Sequence, residues 1–158
     1  MRRGRNARRE MTWLPAVLLA VAVAACGDDD TPDPVGPDPA IAPFVGTWDA
    51  EVFTVTSDAD PNIVADLMEN GSFFINVQPS GTYTASLEFG GIPLSPEVGM
   101  MTVSGDVITL NPSGADAATS EFTFVSEDYL RLEGPTEFDF NLDGELEPAQ
   151  AFIELRKR

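Results

Sequence analysis

In the segment DFNLDGELEPAQ, residues 139–150, oxygen-bearing side chains recur at every second position from Asp139 to Glu147. Asp139, Asn141 and Asp143 take the first, third and fifth positions of a calcium-binding loop. Gly144 takes the sixth position, where such loops turn sharply. This spacing lets three side-chain oxygens converge on one hard cation.

The twelfth position of this segment departs from the calcium-loop pattern. Gln150 stands where such loops carry a bidentate glutamate, so Glu145 or Glu147 would have to complete the oxygen cage. The alternative is an Asp-Gly turn that joins the last two strands and binds no ion. If the pattern is a metal site, we expect weak, structural calcium binding by Asp139, Asn141, Asp143 and Glu145.

The rest of the chain offers little catalytic chemistry. It contains no histidine, Cys26 is its single cysteine, and Lys157 is its single lysine. Histidine and cysteine supply most zinc ligands and most nucleophile–base pairs. Paired carboxylates remain, but they fall on turns and outward strand faces, where solvation explains them. We therefore predict that the protein is not an enzyme and that calcium is its only candidate cofactor.

The N-terminus has the pattern of a secretory signal peptide. Residues 1–12 contain five arginines, and residues 13–24 form an apolar stretch that ends in small residues. A membrane-spanning anchor is the alternative, but it needs about twenty apolar residues.

The last four residues of this region, Val23 to Cys26, read VAAC and resemble the lipobox of bacterial lipoproteins. The resemblance implies cleavage after residue 25, acylation of Cys26 with palmitate-type chains, and anchoring of a secreted protein at the cell envelope. Two or three acyl chains hold a soluble domain firmly at a membrane. Gly27 replaces the aspartate that, in Gram-negative lipoproteins, favours retention in the inner membrane, so the outer membrane is expected.

Residues 26–43 are rich in proline and aspartate, which predicts a disordered tether. Residues 44–158 are enough for one domain. Loss of residues 1–25 removes five arginines and one glutamate, so the net charge falls from −17 to −21. The electrostatic field of so negative a domain repels nucleic acid and favours neutral, apolar or cationic partners. It also favours a monomeric state.

The domain alternates short apolar runs with glycine and proline turns, which indicates an all-β fold. Eight strands joined mainly by hairpins form an antiparallel meander, which buries its apolar faces most simply as a closed barrel. A two-sheet sandwich is the alternative. The predicted strands are 46–57, 71–78, 82–89, 98–104, 106–111, 119–126, 128–134 and 149–157.

One segment after the first strand has a helical pattern. Asp60 fits an N-cap, Pro61 the first helical position, and Gly71 the stop. Between them an apolar stripe recurs at helical spacing. We expect a short helix that seals one end of the barrel or acts as a lid over it.

Four short motifs make the domain similar to small lipocalin-like domains of bacterial lipoproteins. They are GTW at 46–48, PSGTYT at 79–84, VSGDVITL at 103–110 and EDY at 127–129. The resemblance implies an eight-stranded barrel, packing of Arg156 against Trp48, and non-catalytic binding of a small hydrophobic molecule. The chain lacks an obvious C-terminal helix and a disulfide, in contrast to full lipocalins.

Two functions therefore stay open from the sequence. The first is a membrane-anchored barrel that binds a small apolar ligand, and the alternative is an envelope structural or interaction module with a solidly packed barrel. The candidate ligand-binding residues are inward-facing by alternation. They are Phe73, Ile75, Tyr83, Leu87, Phe89, Met101, Phe122 and Phe124.

Overall fold

The structure is a computed structural model that describes residues 38–93 and 96–158. The predicted signal peptide, Cys26 and most of the predicted tether lie outside the described residues. A single 3-10 turn, Ala42–Phe44, precedes the sheet. The strands are β1 (Gly46–Ser57), β2 (Val64–Asp66), β3 (Gly71–Val77), β4 (Thr82–Phe89), β5 (Ile92–Pro93), β6 (Glu97–Ser104), β7 (Val107–Pro112), β8 (Ala118–Ser126), β9 (Tyr129–Phe138) and β10 (Glu147–Lys157).

Eight of these strands form a closed antiparallel barrel in the order β1, β3, β4, β6, β7, β8, β9, β10. The last strand returns to the first, with a register from Trp48 opposite Lys157 to Ser57 opposite Ala149. Closure gives each barrel strand a partner on both sides over part of its length. The prediction of an eight-stranded antiparallel barrel is confirmed, and the predicted strands match the observed ones within a few residues.

The predicted helix between the first two barrel strands is wrong. In its place Asp60 accepts hydrogen bonds from the backbone N–H (3.0 Å) and side-chain amide (2.8 Å) of Asn62, which forms a tight turn. The chain then enters β2, a three-residue strand. Of the predicted apolar stripe, Leu67 is buried, whereas Ile63 and Val64 are about half exposed.

The reason for this strand is the open edge of β1. The β1–β3 ladder ends at the pair of Asp49 and Phe74, so β3 leaves the second half of β1 unpaired. Strand β2 pairs with residues Thr54–Thr56 of β1 and satisfies their backbone groups. A helix would have left that edge open, so the non-local pairing outweighs the local helical pattern.

The inner faces pack into two apolar clusters. The larger one contains Trp48, Tyr83, Ile108 and Leu155, each at most 1% exposed. It also contains Ile41, which is 3% exposed although we expected it in the tether, so packing begins before residue 44. The smaller cluster is centred on Val55, Leu67 and Ala149.

The two ends of the barrel differ in their connections. At the hairpin end, tight turns at 78–81, 105–106 and 127–128 join neighbouring strands, and the described chain both enters and leaves there. At the loop end lie the longer connections from β1 to β3, β4 to β6, β7 to β8 and β9 to β10. No helix among the described residues is long and apolar enough to span a membrane.

The expected contact between Arg156 and Trp48 is wrong. The Nζ of Lys157 lies 5.1 Å from the centre of the Trp48 ring, and Arg156 lies over Tyr129 instead, at 4.4 Å. The reason is strand alternation: Trp48 pairs with Lys157, so these two residues share the inner face and Arg156 points outward.

Candidate functional site

A band of inward-facing apolar side chains lies between the two packed clusters. It consists of Phe53, Phe73, Leu87 and Ile153, which we call the lumen residues. Ile153 pairs with Phe53, the rings of Phe53 and Phe73 meet edge to face at 5.3 Å, and Phe73 pairs with Leu87. All four are half-buried, so they stay partly accessible to water.

Phe53 joins this band because of a β-bulge in β1. The register with β10 shifts between Ala50 and Val52. Before the bulge Trp48 faces inward, and after it Phe53 and Val55 do so. A bulge changes which residues of a strand share a face. Phe53 is not among the ligand residues predicted from the sequence, and strict alternation from Trp48 would place it outside.

The eight predicted ligand residues divide into three groups. Ile75, Tyr83 and Met101 are at most 4% exposed and belong to the larger of the two apolar clusters. Phe73, Leu87, Phe122 and Phe124 are half-buried around the interior. Phe89 is 44% exposed at the loop end, where it pairs with Ile92. The structure thus brings seven of the eight to the interior and leaves Phe89 on the rim.

A polar pair borders the lumen residues. The hydroxyl of Tyr83, a fully buried residue, donates a hydrogen bond to the Glu97 carboxylate. Burial of the Tyr83 phenol, and secondarily the hydrogen bond to Glu97, raise the pKa of Tyr83 far above its ordinary value, so this hydroxyl is neutral. The ladder places Tyr83 opposite Gly99 and Ala85 opposite Glu97, so Glu97 shares the inner register of β6, and it is exposed at the start of that strand.

Glu97 is a site residue that the sequence analysis missed. The signal was present in EVGMMTV, because Glu97 and Met101 are four residues apart in one strand and therefore share a face. Gly99 lies between them, and close packing against β7 requires a glycine at this position. A Cβ at this position would lie 2.2 Å from the carbonyl oxygen of Asn111.

The predicted calcium loop brings three of its four residues together around backbone N–H groups. Asp139 accepts hydrogen bonds from the N–H of Asp143 (3.1 Å) and of Gly144 (2.8 Å). The side-chain oxygen of Asn141 accepts a hydrogen bond from the N–H of Asp143, and the Asp143 carboxylate accepts one of 2.8 Å from the N–H of Glu145. These contacts form nested turns in which the side-chain oxygens already have hydrogen-bond donors.

Glu145 does not reach back into this loop, whereas Glu147 does. The Glu147 carboxylate accepts from the Phe140 N–H and from the Asn141 side-chain amide, both at 3.1 Å. Among the residues that the structure describes, no three acidic, cysteine or histidine side chains are grouped to hold a metal ion. Calcium binding therefore stays a prediction.

Two surface cavities lie away from the lumen residues. One of about 390 Å³ lies over β7 to β10 and is lined by Glu121, Glu133 and Gln150 among others. The other, of about 340 Å³, is mainly apolar and lies at the hairpin end between Pro43, Phe124 and Lys157. Phe124 is the one predicted ligand residue that lines either of them.

The charges of the described domain are unevenly distributed along the barrel. Its basic residues, Arg131, Arg156, Lys157 and Arg158, all lie on β9 or at the end of the chain. The three arginines form ion pairs, including Arg158 with Asp49 at 2.6 Å. The described part of the loop end carries acidic residues and no basic ones. Its field therefore disfavours anions and attracts cations.

No protein-family model matches this chain, and no curated protein matches it in sequence. The function is therefore inferred from the sequence motifs and from the geometry of the barrel.

Proposed function

We propose that this protein is a lipid-anchored, extracytoplasmic barrel of lipocalin-like type that binds a small apolar molecule without catalysis. The observation that carries the proposal is the partial exposure of the lumen residues, although they point towards the barrel axis. When an apolar ligand replaces water beside apolar side chains inside a closed barrel, the free energy of the system falls, which favours binding. Eight-stranded barrels are wide enough for one small ligand.

The anchor is inferred from the sequence. Cys26 precedes the first described residue, Asp38, by twelve positions, and an extended chain of that length reaches roughly 36 Å. The described chain enters the barrel at the hairpin end, so the predicted tether is joined to that end. On this proposal the acyl chains lie in the outer membrane of a Gram-negative cell.

The absence of histidine from the whole chain supports a non-catalytic role. The strongly acidic composition supports a monomer that binds neither nucleic acid nor anionic surfaces.

A second candidate is the interaction module with a solidly packed barrel. It is favoured by apolar side chains at the tips of the loop end, where Leu142 is 86%, Ile92 66% and Leu146 61% exposed. Exposed apolar patches mark protein interaction sites. On this alternative the partner meets the loop end and no ligand enters the barrel.

Binding of an environment-sensitive apolar dye distinguishes the ligand-binding barrel from the solidly packed module. The mature acylated protein in detergent micelles is compared with Leu87→Trp, which fills the lumen, and with Val98→Trp on the outer wall, where Val98 is 47% exposed. We expect saturable dye binding by the wild type and by Val98→Trp, and a loss of at least ten-fold in affinity for Leu87→Trp. Equal binding by all three proteins would contradict binding in the lumen, and so would the absence of binding to the wild type.

A further inference from the structure

We infer that the apolar ligand carries a protonated amine, which pairs with the carboxylate of Glu97. This inference rests on the proposed function, because it names the class of molecule that the lumen residues would take. It starts from the position of Glu97, opposite Ala85 on the inner face and next to the band that begins at Leu87.

The hydrogen bond from Tyr83 holds this carboxylate without neutralising it. A neutral phenol provides one hydrogen bond and no charge. Glu97 Oε1 accepts that bond, and the carboxylate has a second oxygen with which it can accept others. Because Tyr83 is fully buried in the core, its hydroxyl is a fixed donor for the exposed carboxylate of Glu97.

No described cation balances the charge of Glu97. The domain has four basic residues, and Arg131, Arg156 and Arg158 pair with Glu154, Glu51 and Asp49 respectively. The fourth, Lys157, lies over Trp48 at the hairpin end. Glu97 itself is exposed at the start of β6, so its carboxylate is open to an incoming cation, with which it can form a charge-assisted hydrogen bond.

The electrostatic field at the loop end also favours a cationic ligand over an anionic one. Acidic residues such as Asp60, Asp116 and Asp143 lie on the described connections of the loop end. An anionic amphiphile, such as a fatty acid, would meet repulsion at the entrance and again at Glu97. A cationic amphiphile is attracted at both places, and its apolar body covers the lumen residues.

Three probes with one apolar body test the inference: 1-naphthylmethylamine, 1-naphthalenemethanol and 1-naphthoate. Binding to the mature protein in micelles is measured by isothermal titration at low salt. We expect the amine to bind about three- to five-fold more tightly than the alcohol, because charge-assisted hydrogen bonds are the stronger kind but an exposed pair is partly screened by water. The carboxylate probe should bind most weakly.

Two variants separate direct pairing from the general field. Glu97→Gln should reduce amine affinity to that of the alcohol and leave alcohol affinity unchanged. Glu88→Gln removes an equal charge from the outer face of the same end and should change amine affinity less than two-fold. Thermal melts check that both variants are folded.

The failures of the inference and of the proposed function are distinguishable. Equal affinity of amine and alcohol for the wild type would overturn the amine inference alone, and so would an equal loss in Glu88→Gln and Glu97→Gln. If none of the three probes binds, the lumen is not a binding site, and the proposed function fails together with the inference.

Discussion

The indole nitrogen of Trp48 donates a hydrogen bond of 2.7 Å to the carbonyl oxygen of Phe44. Both residues are at most 2% exposed, so this bond fixes the entry of the chain into the barrel in an environment without water. The Phe44 ring in turn packs against Phe122 and Phe124 at 5.0 and 5.1 Å between centroids. The hairpin end is therefore closed by aromatic packing around one polar contact.

Replacement of Trp48 by phenylalanine should destabilise the protein by about 2–4 kcal/mol, since it leaves a buried carbonyl unsatisfied and a gap beside Lys157. Urea unfolding measures the change. Val98→Ala on the exposed wall is the control and should cost less than about 0.5 kcal/mol. A loss for Trp48→Phe as small as that of the control would show that the hydrogen bond is unimportant.

Gly99→Ala should destabilise the barrel by about 2–3 kcal/mol, because the new Cβ meets backbone atoms of β7 that lack room to move. Gly105→Asn is the matched control. Gly105 has φ +62°, a conformation that asparagine tolerates, and no atom lies within 4 Å of a Cβ placed there. Similar unfolding midpoints for the two variants would contradict the close approach of β6 and β7.

Asp139→Ala should lower stability by about 0.5–1 kcal/mol in the presence of a chelator, because the Gly144 N–H loses its acceptor and the Asp143 N–H loses one of its two. If calcium binds, the wild type should melt at a higher temperature with calcium than with chelator. The melting temperature of the variant should be the same under both conditions. A wild-type melting temperature that calcium leaves unchanged would rule out the metal site.

Stability should decrease at acidic pH partly through Glu154. Hydrogen bonds from Tyr129 and then from Arg131 lower the pKa of Glu154 below its ordinary value of 4.5. A carboxyl whose folded pKa is below its unfolded one stabilises the fold above the unfolded value, and this contribution is lost as pH falls through the folded value.

The test is the urea midpoint as a function of pH from about 3 to 7. Glu154→Gln should show a flatter decrease below pH 4.5 than the wild type, and it should be less stable at neutral pH. Glu88→Gln, an exposed control, should keep the wild-type profile. Parallel profiles for the wild type and Glu154→Gln would refute a role for this group.

Acylation of Cys26 should appear in the intact mass of the full chain expressed in a bacterial host. We expect a mature protein that starts at Cys26, carries two or three acyl chains and fractionates with membranes. Cys26→Ser should release the protein from the membrane fraction. An unmodified cysteine in the mature wild-type protein would contradict the lipobox interpretation.

The strands were predictable because their signal is local. Alternation in TYTASLEF and the turn PSG before it predict β4 and the hairpin from β3, since side chains in a strand point to opposite faces and turns require particular residues. The predicted β4, residues 82–89, is the observed strand. The predicted leader, the predicted acylation of Cys26 and the acidic composition likewise depend on residue type and need no knowledge of the fold.

Local signals were insufficient where a distant strand competes for the same backbone. Residues 64–66 have a helical pattern but fill the open edge of β1, which the sequence alone does not reveal. The bulge after Ala50 moves Phe53 inside, and the register of β1 on β10 decides that Lys157, not Arg156, lies over Trp48.

By itself, then, the sequence determined the strand content, the hairpin turns, the charge and the expected lipid attachment, because these depend on residue type and short spacing. Only the tertiary structure decided how the barrel closes, which side chains form the lumen and that Glu97 lies beside them. Those features arise from pairing between residues far apart in the chain, and one shift in register exchanges the inner and outer faces of a strand.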